Sequence, residues 1–297
     1  MTRTELPPDS LQEPAASAKT HWQASLQLGF SDDRGTTRLT RRLHSGPLRV
    51  QKPLYPEGGQ TCHAIIIHPP GGVVGGDVLR INAQVGSDSH ALITTPGAAK
   101  WYRSNGHVSE QHVRLEVADG AKLEWLPQET IFFDDAQVEL HQTIHLARDA
   151  CYIGGDILCF GRTASGETYT TGKIMQGSEI RREGKLIWFE QGSLAGGTSA
   201  MHSPLALAGK TVCATVIATG SSLGAGALDL LREQTRQLVQ NEEPGAQTGA
   251  SQLKSLIVAR YLGNSSEVAK HWMTAVWQHL RPAVIGMPAV APRIWNT

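Results

Sequence analysis

Residues 138–146 read VELHQTIHL. Val138, Leu140, Ile144 and Leu146 share one phase of the run, and Glu139, His141, Thr143 and His145 take the other. A period of two sets one face of a strand against a core and the other in water. The same alternation recurs upstream at 113–117 (VRLEV) and 22–28 (WQASLQL). Turn formers punctuate the runs at 31–35, 86–89, Asp119-Gly120 and Glu183-Gly184. Many short strands joined by tight turns predict a mainly β body over residues 21–208, as a sandwich, a barrel or an irregular β-solenoid. No fixed-period repeat is visible, which argues against a regular solenoid.

Beyond residue 208 the pattern changes. Residues 211–218 are a β-branched strand, and 227–240 (ALDLLREQTRQLVQ) carry Leu228, Leu231, Thr235 and Leu238 at helical spacing. Residues 241–249, with Pro244 and Gly245, read as a polar loop, and 256–262 as a second buried strand. A second helix is expected from Ser265 to about Leu280, capped by Asn264 or Ser265 and limited by Pro282, with Val268, Trp272, Ala275, Val276 and Leu280 in one stripe. The two helices thus fall in the C-terminal third, 209–297. Residues 1–20, polar and broken by Pro7, Pro8 and Pro14, read as a flexible tail to one domain spanning 21–297.

At about 150 residues per domain, 297 residues allow one large domain or two small ones. Lys plus Arg and Asp plus Glu both total 27, so no global basic field exists to attract nucleic acid. With 40% hydrophobic residues the chain can bury a core. No apolar run approaches the roughly 18 residues of a membrane span, and residues 1–20 lack the apolar core of a secretory signal. Cys62, Cys151, Cys159 and Cys213 are scattered without CxxC spacing, the usage of a reduced, cytoplasmic protein.

Several motifs fail on their chemistry. Residues 71–77, GGVVGGD, have the glycine spacing of a phosphate loop but place Asp77 where a Lys is needed. Residues 219–226, TGSSLGAG, with Tyr169 and Lys173, imitate a short-chain dehydrogenase, but the loop follows the pair and too little chain remains for a doubly wound sheet. His141 and His145 have the spacing of a helical zinc pair. On a strand they stand roughly 13 Å apart and cannot share an ion.

The stretches with an individual character are HPPGGVVGGD (68–77), TTPGAAKWYRS (94–104), LEWLPQETIFFD (123–134), DILCFGR (156–162), LIVARYLG (256–263) and LRPAVIGMPAVAPRIWNT (280–297). In this order they closely resemble the urease accessory protein UreD family (UreH in some organisms), over nearly all of the chain after residue 20. Gly155 departs from the Trp of many relatives, and Ala99 from a hydroxyl residue in some. The resemblance implies a distorted β-helix with two helices near its C-terminal end. It implies a non-enzymatic maturation factor that binds apo-urease, recruits UreF and the GTPase UreG in a two-fold complex, and holds no tight cofactor. Nickel would reach urease through water-filled internal passages. Hydrated Ni²⁺ in transit needs weak oxygen sites, since a Cys/His cage would trap it. Asp77, Asp156 and Glu190, acids in apolar or glycine-rich surroundings, are the expected lining. Arg293 and Trp295 at an exposed C-terminal tail, with Trp277 and Arg281, have the aromatic-plus-Arg character of interface anchors for UreF. Trp272 reads as core.

Overall fold

The computed structural model describes residues 21–254 and 256–296, so the tail expected at 1–20 lies outside the described residues. The described residues begin with a hairpin, β1 (Gln23–Asp33) and β2 (Thr36–Ser45), then cross to a second sheet as β3 (Arg49–Val50) and β4 (Thr61–Ile67). From there it alternates between the two sheets. β5 (Val78–Val85), β6 (His90–Thr94), the corner strand β7 (Ala99–Trp101), β8 (Ser109–Val117), β9 (Lys122–Leu126), the corner strand β10 (Thr130–Phe132), β11 (Gln137–Leu146), β12 (Cys151–Phe160) and β13 (Lys173–Arg182) follow in turn. Strands β1, β5, β8, β11 and β13 form one parallel ladder; β4, β6, β9 and β12 form the other.

This is an irregular solenoid of about four turns. Its repeat escapes the sequence because the coils differ in length. Val78 pairs with Glu110, 32 residues on; Ser109 pairs with Val138, 29 on; and Gln137 pairs with Lys173, 36 on.

Antiparallel strands close both sheets. β14 (Lys185–Ala195) folds back on β13 as the edge of the first sheet. β15 (Val212–Thr219) adds to β12, and after α1 (Ala225–Glu242) the hairpin β16 (Gln247–Leu253) and β17 (Leu256–Gly263) completes the second sheet. The loop expected over 241–249 therefore ends early, because Gln247 already pairs with Leu262. Helix α2 (Ser266–Val284) is capped by Ser265, whose Oγ accepts the Val268 N–H at 3.2 Å. Pro282 does not limit it: the proline sits inside the last turn, which closes through the Ile285 N–H to the Arg281 carbonyl at 2.8 Å. Among the described residues, no helix is long and apolar enough to cross a membrane.

Two apolar layers result. Leu26, Leu28, Leu115, Leu123, Tyr152 and Phe160 belong to the layer between the sheets. Ile153, Ile157, Val216, Trp272, Val276 and Leu280 belong to the layer between the second sheet and the helices. The 3.6-residue stripe of α2 thus meets one face of a period-two sheet.

Candidate functional site

The layer between the sheets is interrupted by polar residues. Along β11, Gln142 takes the inward phase of Val138 and Ile144; along β13, Gln176 and Ser178 lie between buried Ile174 and Ile180. On β12, Asp156 shares the phase of buried Tyr152 and Leu158. Side chains that hydrogen-bond leave room that close-packed Leu or Ile would fill, and cavities occur at these positions.

Three cavities share walls. The first, about 220 Å³, lies beneath residues 68–73 and 95–101 and is walled by His68, Val73, Leu79 and Lys100 among others. The loop can sit there because Gly72 has no Cβ: one built on it would fall 2.6 Å from the Tyr102 ring. The glycine run brings the loop against the chain's own β7, with the Val73 N–H on the Lys100 carbonyl at 2.8 Å. His68 turns a buried Nε2 without a partner among the described residues, and burial lowers its pKa. A second cavity, about 100 Å³, shares Ile66, Ile81, Thr95, Ala99 and Gln111 with the first and extends to Gln142, Asp156 and Gln176. The third, about 620 Å³, shares Asp156, Leu158 and Gln176 with the second and reaches Glu190, Arg260 and Tyr261.

Asp156 and Glu190 thus come together, one from each sheet. Asp156 accepts from Gln176 Nε2 at 3.2 Å, and Glu190 accepts from the Arg260 guanidinium at 2.6 Å. Burial, then the neighbouring Glu190, push the Asp156 carboxyl up to about 7; Arg260 and Gln176 only partly oppose them. This is a half-buried acid without a dedicated cation. Asp77 is different. It is 2% exposed, accepts the Trp22 N–H at 2.8 Å and the Val74 N–H at 3.1 Å, and lines none of the three cavities. It closes a turn and pins β1, the ordinary work of an Asp beside glycines.

The expected C-terminal anchors are corrected. Trp277 and Arg281 are fully buried and Trp295 is 5% exposed, so the tail does not present them. Trp295 donates its indole N–H to Thr94 Oγ1 at 2.8 Å and packs edge-on to Trp277. Arg281 donates through Nε to Glu124 at 3.0 Å, pairs with Glu57 at 2.7 Å and donates to the Pro288 carbonyl. Glu124 also accepts from His90 Nε2 at 2.7 Å and Trp277 Nε1 at 2.5 Å, and Glu57 accepts from His63 Nε2 at 2.7 Å. Burial would raise the Glu124 carboxyl, but His90, Arg281 and Trp277 outweigh it and hold it below its ordinary value. The aromatic-plus-Arg signature here is an internal clasp between α2 and the second sheet. Arg293 alone of the four is exposed. Trp272 is core as expected, its indole on Thr248 Oγ1 at 2.6 Å.

Tyr169 is 2% exposed and donates its hydroxyl to the Ala136 carbonyl at 2.7 Å. Among the described residues, no three His, Cys, Asp or Glu side chains are grouped to hold a metal ion. Gln142, Gln176 and Arg260 were not expected at the site; the signal for the glutamines was polarity in an apolar phase of a strand.

A family model described as "UreD urease accessory protein" matches residues 23–296. The urease accessory protein UreD of Janthinobacterium sp. (strain Marseille) is 60% identical over 275 residues, covering 93% of this chain and 92% of the relative. That of Nitrosospira multiformis is 54% identical, covering 93% of this chain and 98% of the relative. That of Pseudomonas savastanoi pv. phaseolicola is 47% identical, covering 93% and 95%.

Proposed function

This chain belongs to the UreD family of urease accessory proteins, and from that premise we propose that it acts as a cytoplasmic, non-enzymatic scaffold that carries Ni²⁺ inward to apo-urease. Its partners in this reading are apo-urease, UreF and, through UreF, the GTPase UreG, in a two-fold assembly. The observation that carries the reading is the run of wall-sharing cavities between the sheets, ending at Asp156 and Glu190. A cation crossing a protein needs oxygen partners along the way and none strong enough to stop it. Glutamine carbonyls, the Thr95 hydroxyl and two carboxylates from opposite sheets meet that need. Arg260 beside Glu190 keeps the site from becoming a deep well for the ion. The nickel lining proposed is therefore Asp156 and Glu190, without Asp77. Arg293 remains the one C-terminal residue proposed for partner contact.

The test is urease activation in cells carrying Asp156→Asn with Glu190→Gln, read as nickel per urease active site. Lower nickel content with the accessory complex still assembled is the expected result. Unchanged nickel content removes both residues from the route.

A further inference from the structure

Residues 34–52 hold Arg34, Arg38, Arg41, Arg42, Arg49 and Lys52 and not one Asp or Glu, in a chain whose cationic and anionic residues balance at 27 each. Much of this charge lies along β2, the free edge of the seven-stranded sheet. The first half of β2 is occupied: the Thr37 N–H donates to the Gly59 carbonyl at 2.9 Å, and Leu39 packs against the core. A β-bulge at Gly29/Phe30 follows, and residues 40–46 are then all exposed. Among the described residues, Arg38 alone of the six cations meets a carboxylate, Asp33 at 3.5 Å. Arg41 donates to the neutral Gln27 and Arg49 to the Gly46 and Leu48 carbonyls. The side chains of Arg34, Arg42 and Lys52 make no hydrogen bond or ion pair among the described residues.

We propose that Arg41–Ser45 is a docking strip for an extended acidic segment of a partner protein, which adds to the seven-stranded sheet as a further strand. An edge strand offers unpaired backbone groups in the register an extended peptide needs, and alternate side chains choose the occupant. Here Arg41 and Leu43 project on the outer face, in register with Gly29 and Gln27, and Arg42 and His44 on the other, in register with Leu28 and Leu26. Charges on both faces of an edge keep it from pairing with another copy of itself. The same charges attract carboxylates. Leu43, 53% exposed at the centre of the strip, gains nothing from a phosphate backbone but is covered by an apolar residue of a peptide strand. Both features favour an acidic polypeptide over a second copy or a nucleic acid. The strip is separate from the cavities and does not depend on their carrying nickel.

The experiment uses the full chain and a fluorescent peptide of about ten residues alternating Glu and Val, followed by anisotropy. Its companions are a version N-methylated at alternate residues, a Lys/Val version, and a single-stranded oligodeoxynucleotide of equal charge. Saturable, salt-weakened binding of the Glu/Val peptide is expected, with weakening of about tenfold or more in Arg41→Glu/Arg42→Glu. Arg42→Glu, which removes no side-chain hydrogen bond or ion pair among the described residues, should give a smaller loss with unchanged thermal melting. The N-methylated and Lys/Val peptides should fail to bind. Equal binding by the charge-reversed chain, binding of the N-methylated peptide, or equal affinity for the oligonucleotide would each overturn the proposal.

Discussion

Glu124 and Asp156 lie on neighbouring strands of one sheet and face opposite layers of the molecule. Glu124 points toward α2, where three donors hold its carboxyl below the ordinary range. Asp156 points between the sheets, where burial and Glu190 push its carboxyl up to about 7. Burial is common to both; the donors are not. The helix-side layer wraps its acid in a guanidinium, an imidazole and an indole and so turns it into a structural joint. The sheet–sheet layer leaves its acid against a glutamine and a shared arginine. A carboxylate engaged this loosely costs stability, and under the proposed function that cost is what leaves it open to a passing cation.

The strongest way to break this contrast is Glu124→Gln. Removing one charge leaves Arg281 buried with a weakened partner, and breaking a buried pair costs about 3–5 kcal/mol. Urea denaturation at pH 7.5 should show that loss without a change in slope. Because the folded Glu124 carboxyl lies below its unfolded value, its contribution is present above pH ~4.3 and disappears as pH falls through the folded value. A loss below about 1 kcal/mol would mean the clasp bears little of the fold.

Asp156→Asn should act with the opposite sign. A folded carboxyl raised above its unfolded value of ~3.9 favours the protonated form, so wild-type stability declines as pH climbs from about 4 through about 7. The amide removes that titration. The variant should equal wild type near pH 4 and exceed it by about 1–3 kcal/mol at pH 8, read from paired denaturation curves. Parallel pH profiles for the two proteins would mean Asp156 is better solvated than its surroundings indicate.

Asp77→Ala sharpens the contrast between acids that hold backbone and acids that line space. Loss of acceptors for the Trp22 and Val74 N–H groups should cost about 1–2 kcal/mol of folding stability. Nickel loading of urease, normalised to folded protein, should stay at the wild-type level. A loading defect at wild-type stability would return Asp77 to the route.

Much of this was legible beforehand. The alternation in 138–146 marked a half-buried strand, and β11 spans Gln137–Leu146. The change of pattern after residue 208 marked both helices, and six ordered motifs marked the family. What stayed hidden has physical causes. Parallel pairing depends on partners 29 to 36 residues away, and unequal coils erase the period. The clasp assembles from Glu57, His63, His90, Glu124, Trp277 and Arg281, which no local window contains. Gln142, however, stands inside the stretch that revealed the strand, in the phase reserved for apolar residues. A polar residue in that phase was the sign of a cavity, and it was readable.

The C-terminal residues give the finest comparison, because Arg293 and Trp295 lie two positions apart in one short turn and face different surroundings. Trp295 is buried against Trp277, and its carbonyl accepts from Lys270 Nζ at 2.7 Å. Deleting residues 292–297 would therefore remove packing from Lys270 and Trp277 of α2 as well as remove a surface, and loss of UreF binding after it would have two explanations. Arg293→Ala separates them. An exposed side chain that makes no hydrogen bond or ion pair among the described residues should change stability by no more than about 0.5 kcal/mol. Co-purification of UreF should fall with Arg293→Ala while the melting temperature holds. Full retention of UreF would leave the tail a purely internal element of this chain and move the partner surface elsewhere on the molecule.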